Sequence, residues 1–154
     1  MATYDVTVGG TTGVPFNATG KLFVLKKQID IEEVIAGNAT LSTAAKIASG
    51  AYLQAIAVPA KTWVIGTGIT VDTASTDTTL TVDVGWGEST YDEDLMDDIN
   101  LATTTDMINE QDEAASLTAT NGKYFAATDT IDVLFNNDAT NGVFTLKLVC
   151  VDLS

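Results

Sequence analysis

The sequence predicts an all-β protein: a single-domain β-sandwich, jelly-roll-like, preceded by an extended N-terminal arm. Three observations carry that prediction. Threonine fills 25 of the 154 positions, and Thr, Val and Ile favour pleated sheet because their branched side chains pack well on it. Short apolar or alternating runs recur between turn residues from residue 21 onward. Helical patterning is confined to two short stretches, around Ser42–Ser49 and residues 106–116.

The elements follow in order. Residues 1–20 are rich in Gly and Thr with Pro15, which reads as an arm and not as part of the core. Residues 21–154 form the domain. Lys21 to Leu25 leads into Gln28-Ile29-Asp30-Ile31 as the first long strand, and Tyr52 to Val58 is the next. Pro59-Ala60-Lys61 is a turn. Trp63-Val64-Ile65 runs through Gly66 and Gly68 to Ile69-Thr70-Val71-Asp72, where glycine inside a strand pattern predicts a bulge or bend. Leu80 to Val84 follows a Thr/Asp/Ser turn. The pairs Asn121-Gly122 and Asn141-Gly142 flank Lys123-Tyr124-Phe125, Thr130 to Phe135 and Val143 to Leu148, and read as hairpin signals because both residue types tolerate positive φ. Seven or eight strands at this spacing fit a sandwich or a jelly roll, and pattern alone does not separate them.

Composition narrows the function. One domain of this length hides roughly 68–70% of its unfolded surface, enough for a core without staples. All seven basic residues are Lys, and there is neither Arg nor His. The chain therefore lacks an imidazole base, a Ser-His or Cys-His pair, a His-ligated metal and a bidentate anion fork. A formal net charge of −14 repels nucleic acid and acidic membranes, so neither is an expected partner. The lone Cys150 lies in an apolar run and is expected to be a buried, inert thiol. The N-terminus carries no basic and apolar leader and no stretch has the length of a membrane span, which predicts synthesis in a cytoplasm without an anchor.

No residue is assigned a catalytic, cofactor or metal role. Asp92, Glu93, Asp94, Asp97 and Asp98 form the densest acidic cluster, but the calcium-loop pattern is missing and a solvated surface is the expectation. Asp72, Asp77 and Asp83 surround one turn, and a carboxylate pair for glycoside cleavage is the sharper but weaker reading. Trp86, between Gly85 and Gly87, and Tyr91 are candidate exposed aromatics for stacking on a sugar, whereas Trp63 is expected in the core. Charge is unevenly divided. Residues 1–61 sum to +1 and residues 62–154 to −15.

The order of strand phrases resembles something more specific. The strand from Leu22 to Ile31, then Gln54 to Val64, Thr79 to Gly85, Gly122 to Asp132 and the closing Val149-Cys150-Val151-Asp152-Leu153 are similar to small virion proteins of tailed bacteriophages, of the head decoration or cement type. The resemblance implies a β-sandwich on the outside of an icosahedral shell, synthesised in the host bacterial cytoplasm. It also implies the major capsid protein and two further copies of the chain, as a homotrimer, as partners, with no cofactor and no enzymatic activity. With the division of charge, it points to Lys21, Lys26, Lys27 and the arm, including Pro15 and Phe16, as the contacts facing the shell or a neighbour, with Asp92–Asp98 toward solvent. A head fibre or tail component, and a carbohydrate-binding module built on Trp86 and Tyr91, are the alternatives.

Overall fold

The computed structural model describes residues 3–5, 12–15, 22–87, 91–108 and 122–154. Two sheets face one another across an apolar core. The back sheet has the order β1-β4-β10-β6-β7, with β1 at Thr3–Asp5, β4 at Tyr52–Val58, β10 at Asp129–Phe135, β6 at Thr81–Trp86 and β7 at Tyr91–Asn100. The front sheet has the order β2-β3-β11-β5-β8, with β2 at Thr12–Pro15, β3 at Leu22–Asp30, β11 at Val143–Asp152, β5 at Thr62–Thr73 and β8 at Thr105–Ile108. A short β9, Lys123–Phe125, pairs with the start of β5.

Setting aside β1, β2 and β9, eight strands remain. In chain order the front sheet runs first, eighth, third, sixth and the back sheet second, seventh, fourth, fifth. That interleaving is a jelly roll, which settles the choice the sequence left open. The pairings are antiparallel except β1 with β4. Alternation along β11 shows how the core is built: Phe144, Leu146, Leu148 and Cys150 point inward and are buried, while the intervening residues face out. Val82, Val84 and Trp86 on β6 and Ile131, Val133 and Phe135 on β10 meet them from the other sheet. Burial pushes the Cys150 thiol up to about 12, so it stays protonated and inert, as the sequence predicted.

Several sequence expectations change. The stretch read as an extended arm outside the core contributes β1 to one sheet and β2 to the other, each against the outermost main strand, so its described pieces extend both sheets on the same side of the sandwich. The first long strand ends at Asp30, because Asp30 caps a helix α1 at Ile31–Gly37 by accepting from the N–H groups of Glu32 and Glu33. Asn38 caps a second helix, α2, at Ala39–Ala44 in the same way, so the helix expected over 42–49 begins and ends earlier. The Asn141-Gly142 pair joins β10 to β11 in opposite sheets and is a crossover, not a hairpin; Gly142 takes φ 117° and its carbonyl accepts from Ile31 N–H. The bulge expected near Gly66 is present, with Val149 opposite Gly66 and Cys150 opposite Val64, leaving Ile65 as the extra residue. The acidic stretch expected as a solvated surface loop is strand β7; of residues 106–116, expected to hold a helical turn, 106–108 belong to strand β8 and the rest lie outside the described residues.

Candidate docking face

The outward side of the front sheet is divided in two. At one end, cross-strand register lays down two apolar rows. Leu22 lies opposite Val151, Val151 opposite Trp63, and Trp63 opposite Tyr124, so one row crosses β3, β11, β5 and β9. Beside it Val24 lies opposite Val149, which faces Gly66, with the bulged Ile65 alongside. Val24, Trp63, Ile65, Tyr124 and Val149 are each 37–48% exposed, and they make up most of the large exposed hydrophobics among the described residues. Gly122 approaches from behind β9 with φ 77°: a Cβ there would collide with the Val64 carbonyl oxygen and with the indole nitrogen of Trp63.

The other half of the face is polar. The Asp72 carboxylate accepts from Gln28 Nε2 at 3.1 Å and from Thr145 Oγ1 at 2.6 Å. Lys147 donates to Thr70 Oγ1 at 2.6 Å and sits directly opposite Lys26 in the β3–β11 register. Lys26 is exposed and has neither hydrogen bond nor ion pair among the described residues. An open groove of about 330 Å³, lined by Leu22, Phe23, Pro59, Thr62 and Asp152, borders the apolar end.

The sequence reading put the aromatics the wrong way round. Trp86 is 3% exposed, because it shares the inward parity of Val82 and Val84; its ring meets Phe125 edge-on at 6.4 Å and carries the Lys123 ammonium 4.7 Å from its centroid. It offers no stacking platform. Trp63, expected in the core, is on the open face instead. Of the expected contact residues, Lys26 lies on this face. Lys27 belongs to the opposite side of β3, across from the buried Leu146, since neighbouring residues of a strand point apart. Lys21 and Phe16 lie outside the described residues, as do the side chains of Pro15, Tyr91, Asp92, Glu93 and Asp94.

The back sheet carries a second polar feature, at the corner where β6 meets β7. A bulge sets Asp97 and Asp98 together against Asp83, and Asp98 takes φ 50° to make the bend. The three carboxylates lie within 4.8 Å of one another. Asp83 is 5% exposed; its Oδ1 accepts from Asp98 N–H and from Asn136 Nδ2, both at 2.8 Å. Desolvation, with the negative charge of Asp97 and Asp98 added, pushes its pKa up to about 6. The carboxylates considered for paired catalysis do not come together. Asp72 accepts from Gln28 and Thr145 on the front sheet, Asp77 of the β5–β6 loop accepts from Thr140 of the β10–β11 connection, and Asp83 accepts from Asn136 directly after β10 of the back sheet.

Jelly rolls of this kind recur in viral capsid and lectin domains. No family model matches the chain, and no curated protein matches it in sequence. Among solved structures, a chain of the capsid of Ralstonia phage GP4 is similar with a TM-score of 0.66 and 15% identity, covering 99% of both chains. A chain of the cyanophage Pam1 capsid asymmetric unit gives 0.59 and 12%, covering 94% of each. A chain of the acidic stable capsid of Helicobacter pylori bacteriophage KHP30 gives 0.51 and 11%, over 86% of this chain and 89% of that one. The likeness is one of fold. Among the described residues no helix is long and apolar enough to cross a membrane.

Proposed function

We propose that the chain is a structural protein of a phage virion, a decoration or cement protein that binds the outside of the assembled head and holds the lattice closed. The observation that carries this reading is the fold likeness, nearly end to end, to chains of three different phage capsids. The resemblance in strand order points the same way. The role requires no reaction. It requires a folded body with a surface that can be buried against the shell, and the apolar rows of the front face offer such a surface.

The energetics follow from mass action. A protein that binds the assembled lattice and not loose subunits stabilises the lattice by RT ln(1 + [L]/Kd) per site. An interface of about 1,600 Å² per site is ordinary for such a contact. A trimer spanning three subunits adds avidity, because the second and third contacts form at high effective concentration. The test compares heads with and without the chain. Heads made without it are expected to open at lower temperature, and purified protein added back is expected to restore the higher one. Equal opening temperatures would contradict the cement role.

A further inference from the structure

The outward face of the front sheet pairs two things seldom left bare together: an apolar patch crossing four strands, and two lysines set directly opposite each other. Like charges at directly opposed positions of an antiparallel pair destabilise the sheet. Among the described residues Lys147 is held only by a hydroxyl, that of Thr70, and Lys26 has no hydrogen-bonding or charged partner. The chain has ample carboxylates, yet among the described residues none forms an ion pair with either lysine. Among the described residues this face therefore bears positive charge with no ion-pair partner beside exposed Trp63, Ile65, Tyr124 and Val149, on a molecule of net charge −14.

We infer that this face is the docking surface for a shell subunit that presents an apolar patch with carboxylates beside it, the carboxylates seating between Lys26 and Lys147. The inference rests on the cement reading and names the surface and the partner chemistry that reading leaves open. Charge complementarity selects the occupant. A partner carboxylate relieves the lysine repulsion and meets a face that the rest of this acidic molecule cannot offer. A second copy packed face to face brings its own Lys26 and Lys147 into the same interface, which adds to the repulsion. Trp63 and Tyr124 fit the part of buried anchors, since aromatic residues dominate interface energetics.

The test uses the full chain, heads of its source particle made without it, and co-sedimentation at several salt concentrations. Two variants probe the two halves of the face: Lys26→Glu with Lys147→Glu, and Trp63→Ser with Tyr124→Ser. Thermal melting of each confirms folding, and sedimentation velocity reports its oligomeric state. Each is expected to weaken binding by tenfold or more at unchanged oligomeric state, and the charge variant is expected to lose the salt dependence seen with the parent protein. Folded variants that bind heads as well as the parent would overturn the inference and leave the cement role standing. A variant that falls apart from oligomer to monomer would overturn it too, by giving the face to a second copy. Failure of the parent protein itself to bind heads would instead remove the cement reading.

Discussion

The outward sides of the two sheets deal with charge in opposite ways. At the β6–β7 corner of the back sheet one carboxylate is drawn inward: Asp83 is buried, two donors satisfy one of its oxygens, and a bulge bends the chain to bring the half-buried Asp97 and the exposed Asp98 beside it. On the front sheet, Lys26 and Lys147 stand opposite each other with no ion-pair partner among the described residues, and aromatics face solvent. The first arrangement is internal and spends its hydrogen bonds on the fold. The second keeps like charges side by side next to exposed apolar side chains, and a surface in that condition is suited to a partner. Stability variants and binding variants should therefore separate by region.

The largest effect on stability is expected in the layer between the sheets. Phe135→Ala or Phe144→Ala removes a fully buried ring and is expected to cost about 3–5 kcal/mol in urea unfolding. A cost under about 1 kcal/mol at either site would mean the two sheets do not pack as described.

Next comes the pH dependence of the back-sheet corner. Folding raises the Asp83 pKa from 3.8 to about 6, so the folded chain holds this proton where the unfolded chain has released it. The contribution to stability consequently falls as pH rises from about 4 to about 6 and is flat above that, by at most about 3 kcal/mol. Asp83→Asn keeps an oxygen for Asp98 N–H and the Asn136 amide while removing the charge. Its stability relative to the parent is expected to rise through that window, and parallel pH profiles of the two proteins would show that Asp83 carries no buried-charge penalty.

A smaller gain is expected at Thr67. Its hydroxyl is buried on the core side of β5 without a hydrogen-bond partner among the described residues, so Thr67→Val should raise stability by about 1 kcal/mol, read as a shift in urea midpoint. The smallest effect sharpens the comparison most. Lys26→Glu replaces a like-charge pair with an opposite one, and the isolated protein is expected to gain a few tenths of a kcal/mol while losing affinity for heads. Loss of stability with unchanged binding would reverse the assignment of the two regions.

Much of this was legible before any coordinates. The strands β4, β5, β6, β10 and β11 stand out because branched and apolar residues recur with turn residues between them, and the bulge near Gly66 is signalled by its glycines. The sidedness of the tryptophans was not read correctly, for two reasons. Trp63-Val64-Ile65 is an unbroken apolar run, which hides which parity faces the core, and the bulge at Ile65 then shifts it. Trp86 looked loop-like between two glycines, although its parity with Val82 and Val84 was a usable signal for burial. Strand β7 was missed because four of its residues from Asp92 to Asp97 are acidic, a composition that reads as solvated loop. The α1 cap was also present in sequence, as Asp30 with Glu33 three residues on, but the alternation of Ile29-Asp30-Ile31 masked it. The lysine pair of the docking face depends on the register of strands 121 residues apart, Lys26 and Lys147, and no local pattern encodes that.

The most direct measurement of the central claim is the number of copies of this chain in purified particles, relative to the major shell subunit, by quantitative mass spectrometry. The account predicts a fixed ratio on the scale of the lattice itself, unchanged by further purification. A few copies per particle would place the chain at a vertex, fibre or tail, and its absence from particles would contradict the account.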